Sequence, residues 1–184
     1  MRVIAGTARS LPLKTPEGLD TRPTTDRIKE TLFNMLQTAV PGSVFVDLFS
    51  GSGGIGIEAL SRGARHAYFV ENGKKASACI RRNLDFTGFT DRATLLEQDV
   101  TAALSLIREK EVHLIYMDPP YQAGYEERVL QALAGRAYVT ADTLIIIEAA
   151  LEKDFSFAEK SGYRMTREKR YKTNKHIFLK RQEE

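Results

Sequence analysis

What most limits the folds open to this 184-residue chain is a repeat of short apolar runs, each followed by a turn and a helical pattern. "VFVDLF" starts the series at Val44. "AYFVE" (67–71) precedes a helical stretch from Lys74 to Phe86, and "ATLLEQD" (93–99) precedes one near Ala102–Glu109. "VHLIYMD" (112–118) precedes one from about Tyr125 to Leu133, and "TLIIIEAA" (143–150) comes next. Apolar runs this short, bounded by turn residues, read as buried strands. Strands alternating with helices predict a parallel sheet covered on both faces, a doubly wound α/β fold. The C-terminal "YRMTREKRYKTNKHIFLKR" breaks the alternation and reads as two strands joined by a basic turn, an antiparallel edge. Residues 1–23 mix apolar stretches with Gly, Pro and Thr and read as an extended arm or hairpin. "RPTTDRIKETLFNMLQTAV" reads as a helix. Ile28, Leu32, Met35, Leu36 and Ala39 share one face, and Thr24 or Thr25 is the cap. The expected organisation is one domain over 1–184, with an arm at 1–23 and the helix plus Rossmann-like core at 24–184.

Several classes fall away on composition. No apolar run approaches the roughly 20 residues of a membrane helix. "MRVIAGTARS" lacks the apolar core of a signal peptide, so a cytoplasmic location is expected. Cys79 is the only cysteine, which rules out an internal disulfide; it lies in the helical "KKASACIRRNL" and reads as a packed thiol rather than a nucleophile. His66, His113 and His176 have no partners at ligand spacing, so no metal is expected. The net charge of +3 is modest, but it is unevenly spread. Residues 1–16 carry Arg2, Arg9 and Lys14 with no acid. Arg167, Lys169, Arg170, Lys172, Lys175, Lys180 and Arg181 share their stretch with one acid, Glu168. Solvated surface explains either cluster alone; two basic ends around an acidic middle point equally to nucleic acid.

The middle carries the chemistry. In doubly wound sheets ligands bind beyond the C-terminal strand ends. Four successive strands here end in an acid: Asp47, Glu71, Asp99 and Asp118. Like charges gathered at one crevice call for a cationic ligand or hydrogen-bond donors. After Asp47, "LFSGSGGIGIEAL" sets Gly51, Gly53 and Gly56 at a strand-to-helix turn as G-x-G-x-x-G, where glycine allows close approach of a ligand. Glu71 follows at the distance where an acid meets a ribose diol. That arrangement serves nicotinamide, flavin and S-adenosylmethionine sites alike. A pyrophosphate would be repelled by Asp47 and Asp118, whereas S-adenosylmethionine carries a sulfonium and an ammonium against one carboxylate. Asp47 would hold the ammonium, Glu71 the ribose hydroxyls and Asp99 the adenine amine. No Lys-Ser or Lys-Thr follows the glycines, so this is not a phosphate-gripping loop.

"DPPY" completes the reading. A planar exocyclic amine has its lone pair delocalised into the ring. Acceptors around its hydrogens, the Asp118 carboxylate and the Pro119 carbonyl, free that pair and aim it. Pro120 keeps Pro119 extended, and Tyr121 stacks on the base. Orientation and preorganised charge then carry the catalysis. Taken alone, the motif is equally a rigid strand-end turn.

With these residues in place, the chain resembles the class I, Rossmann-like methyltransferases, and among them the RsmD family, over nearly its whole length. "VIAGTARSLPLKTP", "RPTTDRIKETLFNML", "DLFSGSGGIGIEALSRGA", "VEN", "EQDV" and "MDPPY" carry the likeness in order. The resemblance implies a seven-stranded sheet with an antiparallel last strand, and S-adenosyl-L-methionine as methyl donor with S-adenosyl-L-homocysteine as product. It implies methylation of a guanine N2 in 16S ribosomal RNA. It places Asp47, Ser50, Gly51, Ser52, Gly53 and Gly56 around the methionine end of the cofactor. Glu71 and Asn72 fall at the ribose and adenine, and Asp99 and Val100 at the adenine. Asp118, Pro119, Pro120 and Tyr121 become catalytic. Arg22, Thr24 and Arg27 would close over the pocket, though a helix cap and surface charge explain them as well. With Arg2, Arg9 and Lys14 of the arm they form the expected RNA contacts. The expected partner is 16S rRNA in an assembled or partly assembled small subunit, met by a monomer. The rivals are a DNA amino-methyltransferase acting on adenine or cytosine, and a non-catalytic module that binds the donor and RNA. The first generally needs a separate recognition domain, for which this chain has little left over. The second has no use for an amine clamp.

Overall fold

The structure, a computed structural model, describes residues 1–16, 25–120 and 124–182. Seven strands form one sheet: β1 (Val44–Leu48), β2 (His66–Val70), β3 (Ala93–Leu96), β4 (Leu114–Met117), β5 (Leu144–Ala150), β6 (Tyr163–Arg170) and β7 (Asn174–Arg181). Their order is β3-β2-β1-β4-β5-β7-β6. The first five are mutually parallel. β7 runs antiparallel to both neighbours, as the alternation and its C-terminal break require. From β1 the chain winds outward to β3 and then returns to start β4 on the other side of β1. The sheet therefore reverses direction between β1 and β4, and a crevice opens there beyond the strand ends.

The period of two along each strand sends alternate side chains to opposite faces, so the sheet has two cores. Val44, Val46 and Leu48 of β1 join Ile115, Met117, Ile145 and Ile147 on one face. There α4 (Val100–Ala103), α5 (Tyr125–Ala134) and α6 (Phe157–Lys160) cover them. Phe45, Phe69, Tyr116, Ile146 and Phe178 face the other way, under α1 (Asp26–Met35), α2 (Gly54–Ser61), α3 (Lys74–Thr87) and the arm. No helix among the described residues is long and apolar enough to cross a membrane.

The described part of the arm, residues 1–16, is a hairpin. Arg2 pairs with Pro12, and Val3 N–H donates to Leu11 O at 3.0 Å. Its anchor lies inside the glycine motif's own helix. Glu58 of α2 accepts the backbone N–H groups of Ile4 (2.8 Å) and Ala5 (3.0 Å). It also pairs with Arg62 at 2.7 Å and with the buried Lys29 ammonium at 3.6 Å. Lys29 in turn donates to Arg2 O at 2.5 Å.

Two elements differ from expectation. The first helix ends at Met35 rather than running to Val40. Past Leu36 the backbone tightens into turns, with Ala39 N–H donating to Leu36 O at 2.9 Å, and Val40, not Ala39, enters the core. Lys29 and Phe33 are buried on a face that a purely apolar count missed. Thr25 is the cap, accepting Ile28 N–H. The helix expected near Ala102–Glu109 is a single turn, Val100–Ala103, capped by Asp99. Beyond it the Ser105 hydroxyl donates to Ala102 O at 2.7 Å, a bond that competes with helical continuation.

Candidate active site

The crevice at the strand ends is lined by Phe49, Glu71, Asn72, Gln98, Asp99, Val100, Pro120 and Tyr125, with Val70 at its floor. Five of the fourteen residues expected at the cofactor and catalytic sites, Glu71, Asn72, Asp99, Val100 and Pro120, thus meet across one open space. Each is delivered by a strand end: Glu71 and Asn72 follow β2, Asp99 follows β3, and Pro120 follows β4.

The glycine loop forms the base. Gly53, the α2 cap, has φ +81°, a left-handed conformation that a side chain resists. A Cβ there would lie 3.3 Å from Ile80 and Phe69. It would press on the core, not on the space expected for the ligand. Gly56 is tighter still: its Cβ would come within 2.4 Å of the Phe69 ring. The third glycine therefore lets α2 pack on β2. Around Gly51, by contrast, a Cβ would find no atom within 4 Å, so this is where the loop faces open space. Ser50 is consumed internally, donating to Asp47 O at 2.7 Å and accepting Val70 N–H at 3.0 Å. Ser52 points toward the Met1 sulfur at 3.5 Å. These two serines and the two later glycines shape the loop from behind.

The acids hold different positions. Glu71 accepts Gly51 N–H at 2.9 Å and Gly73 N–H at 2.8 Å, tying the loop to the end of β2. Asp99 is exposed, takes Thr101 N–H at 3.0 Å and pairs with Arg128 at 3.3 Å. The Thr101 hydrogen bonds and Arg128 hold its carboxyl below the usual range. Asp47 is buried beneath the loop, where one oxygen accepts Gly56 N–H at 3.0 Å. Burial pushes its carboxyl up to about 8, against the Gly56 hydrogen bond and with help from Glu71. Asp118, half-buried just past β4, is raised by burial and then by the neighbouring Glu148 and Asp47 charges. Asp47 and Asp118 flank the reversal between β1 and β4. Neither has a Lys or Arg partner among the described residues. Two acids so placed suit a cationic ligand.

Other expectations land further out. Pro119 is buried. Arg9, Lys14 and Arg27 are exposed, and Arg2 pairs with Asp26 at 3.3 Å. Arg22, Thr24 and Tyr121 lie outside the described residues, as do positions 17–23 of the arm. Cys79 is a packed thiol donating to Lys14 O at 3.1 Å. Among the described residues no His, Cys, Asp and Glu cluster could hold a metal.

Besides Gln98 and Tyr125, which line the crevice, sequence reasoning missed three residues. Phe49 has φ +62°, strain of a kind stored at functional sites, and its ring meets Tyr125 edge-on at 5.1 Å. Its position between Asp47 and the glycines was the available signal. Asn83 of α3 bridges the arm to the loop, donating to Lys14 O and Ser52 O, both at 2.9 Å; a lone Asn on a buried helix face was its only trace. Glu148 of β5 had no signal beyond being an acid inside an apolar strand. It accepts hydrogen bonds from Tyr116 (2.6 Å) and Asn174 (2.6 Å).

A doubly wound seven-stranded sheet with β7 antiparallel, a glycine loop after β1 and acids at the next strand ends defines the class I methyltransferase fold. The solved Escherichia coli protein yhhF superposes at a TM-score of 0.83 with 29% identity, covering 100% of this chain and 99% of that one. The family model described as "Conserved hypothetical protein 95" matches residues 1–180. YlbH of Bacillus subtilis is 38% identical over 150 residues, 80% of this chain and 82% of that one. Ribosomal RNA small subunit methyltransferase D of Escherichia coli K12 is 32% identical over 154 residues, 83% of this chain and 76% of that one. The chain belongs to this family, the RsmD family of methyltransferases.

Proposed function

We propose that this protein is an S-adenosylmethionine-dependent enzyme that methylates the exocyclic N2 amine of a guanine in 16S ribosomal RNA, in the cytoplasm. The observation that carries the reading is the placement of Asp118 beside Asp47 at the sheet reversal, with the Glu71–Asp99 wall around the adjoining crevice. The relative named for rRNA small subunit methylation supplies the substrate class.

The residues fit the donor. The open space at Gly51 admits a ligand against the loop, and the acids meet a diol, an amine and positive charge. Glu71 and Asn72 would hold the ribose, Asp99 and Val100 the adenine edge, and Asp47 the ammonium end through the loop. When bound, the donor supplies a methyl group on a cationic sulfur. The chain's own residues do the rest. Asp118 and the Pro119 carbonyl accept the hydrogens of the guanine amine and turn its lone pair toward the methyl. Buried acids that are costly to ionise alone become favourable beside the ligand's positive charge. Tyr121 stacks on the displaced base.

The test is methyl transfer by purified protein, stripped of carried-over ligand, to small ribosomal particles. Nucleoside mass spectrometry then locates the product. N2-methylguanine in 16S rRNA is expected. Methylated adenine in duplex DNA with none in rRNA would hand the site to the DNA rival. Donor binding without transfer to any nucleic acid would leave a binding module.

A further inference from the structure

Beyond the crevice, the sheet carries a second polar arrangement that the reading above does not use. The β4–β5 register runs Leu114 with Leu144 through Met117 with Ile147. One residue beyond β4, Asp118 continues this line toward Glu148, whose charge acts on it. Glu148 pairs in turn with His176 on β7, and His176 pairs with Lys169 on β6. A single row therefore crosses four neighbouring strands at about 4.8 Å per step, starting at the proposed catalytic acid. Tyr116 and Asn174 lie one pleat away on the same face, and both donate to Glu148 at 2.6 Å. His176 approaches it at 3.3 Å, and the Tyr171 hydroxyl sits 3.1 Å from the far ring nitrogen of His176.

A buried carboxylate ringed by donors is an anion held in place. Burial works to raise the Glu148 carboxyl, but hydrogen bonds from His176, Tyr116 and Asn174 outweigh it and keep it low. On its other side stands Asp118, with no donor of comparable strength among the described residues. The row is thus polarised: the inner acid stays charged, and the outer acid bears the repulsion.

We propose that Glu148 is a positioning residue whose fixed charge, held by Tyr116, Asn174 and His176, keeps Asp118 basic enough to take the proton that the guanine amine sheds. This rests on the methyl-transfer reading above. In the step, the amine lone pair forms the nitrogen–carbon bond. The sulfur–carbon bond breaks with its electron pair going to sulfur. The nitrogen, now cationic with two hydrogens, passes one to the Asp118 carboxylate, which releases it to water in the open crevice. The other charged groups around Asp118 fit this direction. Asp47 on β1 adds to the repulsion, with Glu71 behind it. From β6 and the following turn, Lys169 lies over the Tyr171 ring at 5.9 Å, and Arg167 acts on Tyr171. Lys169 stands at the far end of the row, with His176 and Glu148 between it and Asp118.

The test compares wild type with Glu148→Gln and Glu148→Asp. Single-turnover methyl transfer to small ribosomal particles is followed from pH 5.5 to 9, roughly the span over which a raised carboxyl titrates. Glu148→Gln should move the acid limb of the rate profile toward lower pH by about one unit and lower the plateau several-fold. Glu148→Asp, which keeps the charge, should leave the limb near its wild-type position. Calorimetry in buffers of different ionisation enthalpy counts protons released when S-adenosylmethionine binds, and needs no RNA. Glu148→Gln should release fewer near pH 7. If it loses melting temperature but keeps both the limb and the proton count, Glu148 is structural and the proposal is overturned. If wild type transfers no methyl to particles, the functional reading falls, and this inference with it. An active wild type with an unmoved Glu148→Gln limb sinks the inference alone.

Discussion

Among the residues, Asp118 and Asp47 separate two roles that the sequence presented as one row of acids. Asp118 stands at the crevice end of β4 and is the group that should touch the substrate amine. Asp118→Ala should cut methyl transfer by roughly 100- to 1,000-fold while the circular dichroism and most donor affinity persist. Turnover near the wild-type rate would make it a strand-end turn residue. Asp47 lies beneath the loop, and on the proposed function it links ligand binding to stability. Its carboxyl rises from 3.8 to about 8 on folding, so the folded state binds the proton more tightly than the unfolded chain. The stability this contributes is complete below about pH 4 and is lost as pH climbs toward 8. Ligand-free protein should therefore melt at lower temperature at pH 8 than at pH 6, and S-adenosylmethionine should narrow the gap. Asp47→Asn keeps an acceptor for Gly56 N–H, so it should flatten the ligand-free pH dependence. It should also weaken donor binding by about 1.5–3 kcal/mol, the scale of a charged hydrogen bond, as read by calorimetry. An unchanged pH slope in Asp47→Asn would assign the dependence to another group.

Among the elements, what could be read from the sequence follows from which physical signals are local. β1 to β5 and the β6–β7 pair were visible because continuous apolar runs and a two-residue period need no partner to be recognised. The acids at the strand ends were equally visible, since strand ends are where such sheets bind ligands. Helix lengths were less so. The first helix gives way after Met35 to turns that lead Val40 into the core, and α4 is one turn, with Asp99 capping its start and the Ser105 hydroxyl bound to Ala102 O just past its end. The arm's docking was invisible, because it depends on residues 54 positions apart: Ile4 N–H on the Glu58 carboxylate. Glu58 sits within "GIGIEAL", where the glycines drew the attention. Its removal gives a sharp test. Glu58→Ala would leave the buried Lys29 ammonium without its counter-charge and two arm N–H groups without their acceptor, at a cost of about 3–5 kcal/mol for breaking a buried ion pair. Urea unfolding should show it. A loss below about 1 kcal/mol, the scale of exposed pairs, would mean that the arm is held by Val3, Ala8 and Leu13 in the core instead.

For the whole molecule, the proposed function raises the question of how 184 residues would select one guanine. The target base must leave its stack to reach Asp118, at a cost of a few kcal/mol. On the proposed function the crevice takes the donor and one base. Arg9, Lys14 and Arg27 are exposed on the arm and α1, and Arg164, Arg167 and Arg170 are exposed along β6. Such cations grip phosphates without reading sequence, and their hold weakens with salt. Little remains that could discriminate a long RNA sequence, so the fixed shape around the target should come from the substrate. We therefore expect assembled or partly assembled small subunits to be methylated faster than naked 16S rRNA at the same salt. Raising the salt should depress the naked-RNA rate at every guanine it reaches, because phosphate attraction supplies most of what holds that complex. On the particle, methylation should stay confined to one position as the rate falls, since shape and not charge sets the position. The comparison uses wild-type protein, the same RNA free and assembled, and mass spectrometry to locate each methyl group. Equal rates at one and the same guanine on both substrates would show that the chain itself supplies the selectivity. The search for its origin would then move to the arm and to the side chains lining the crevice.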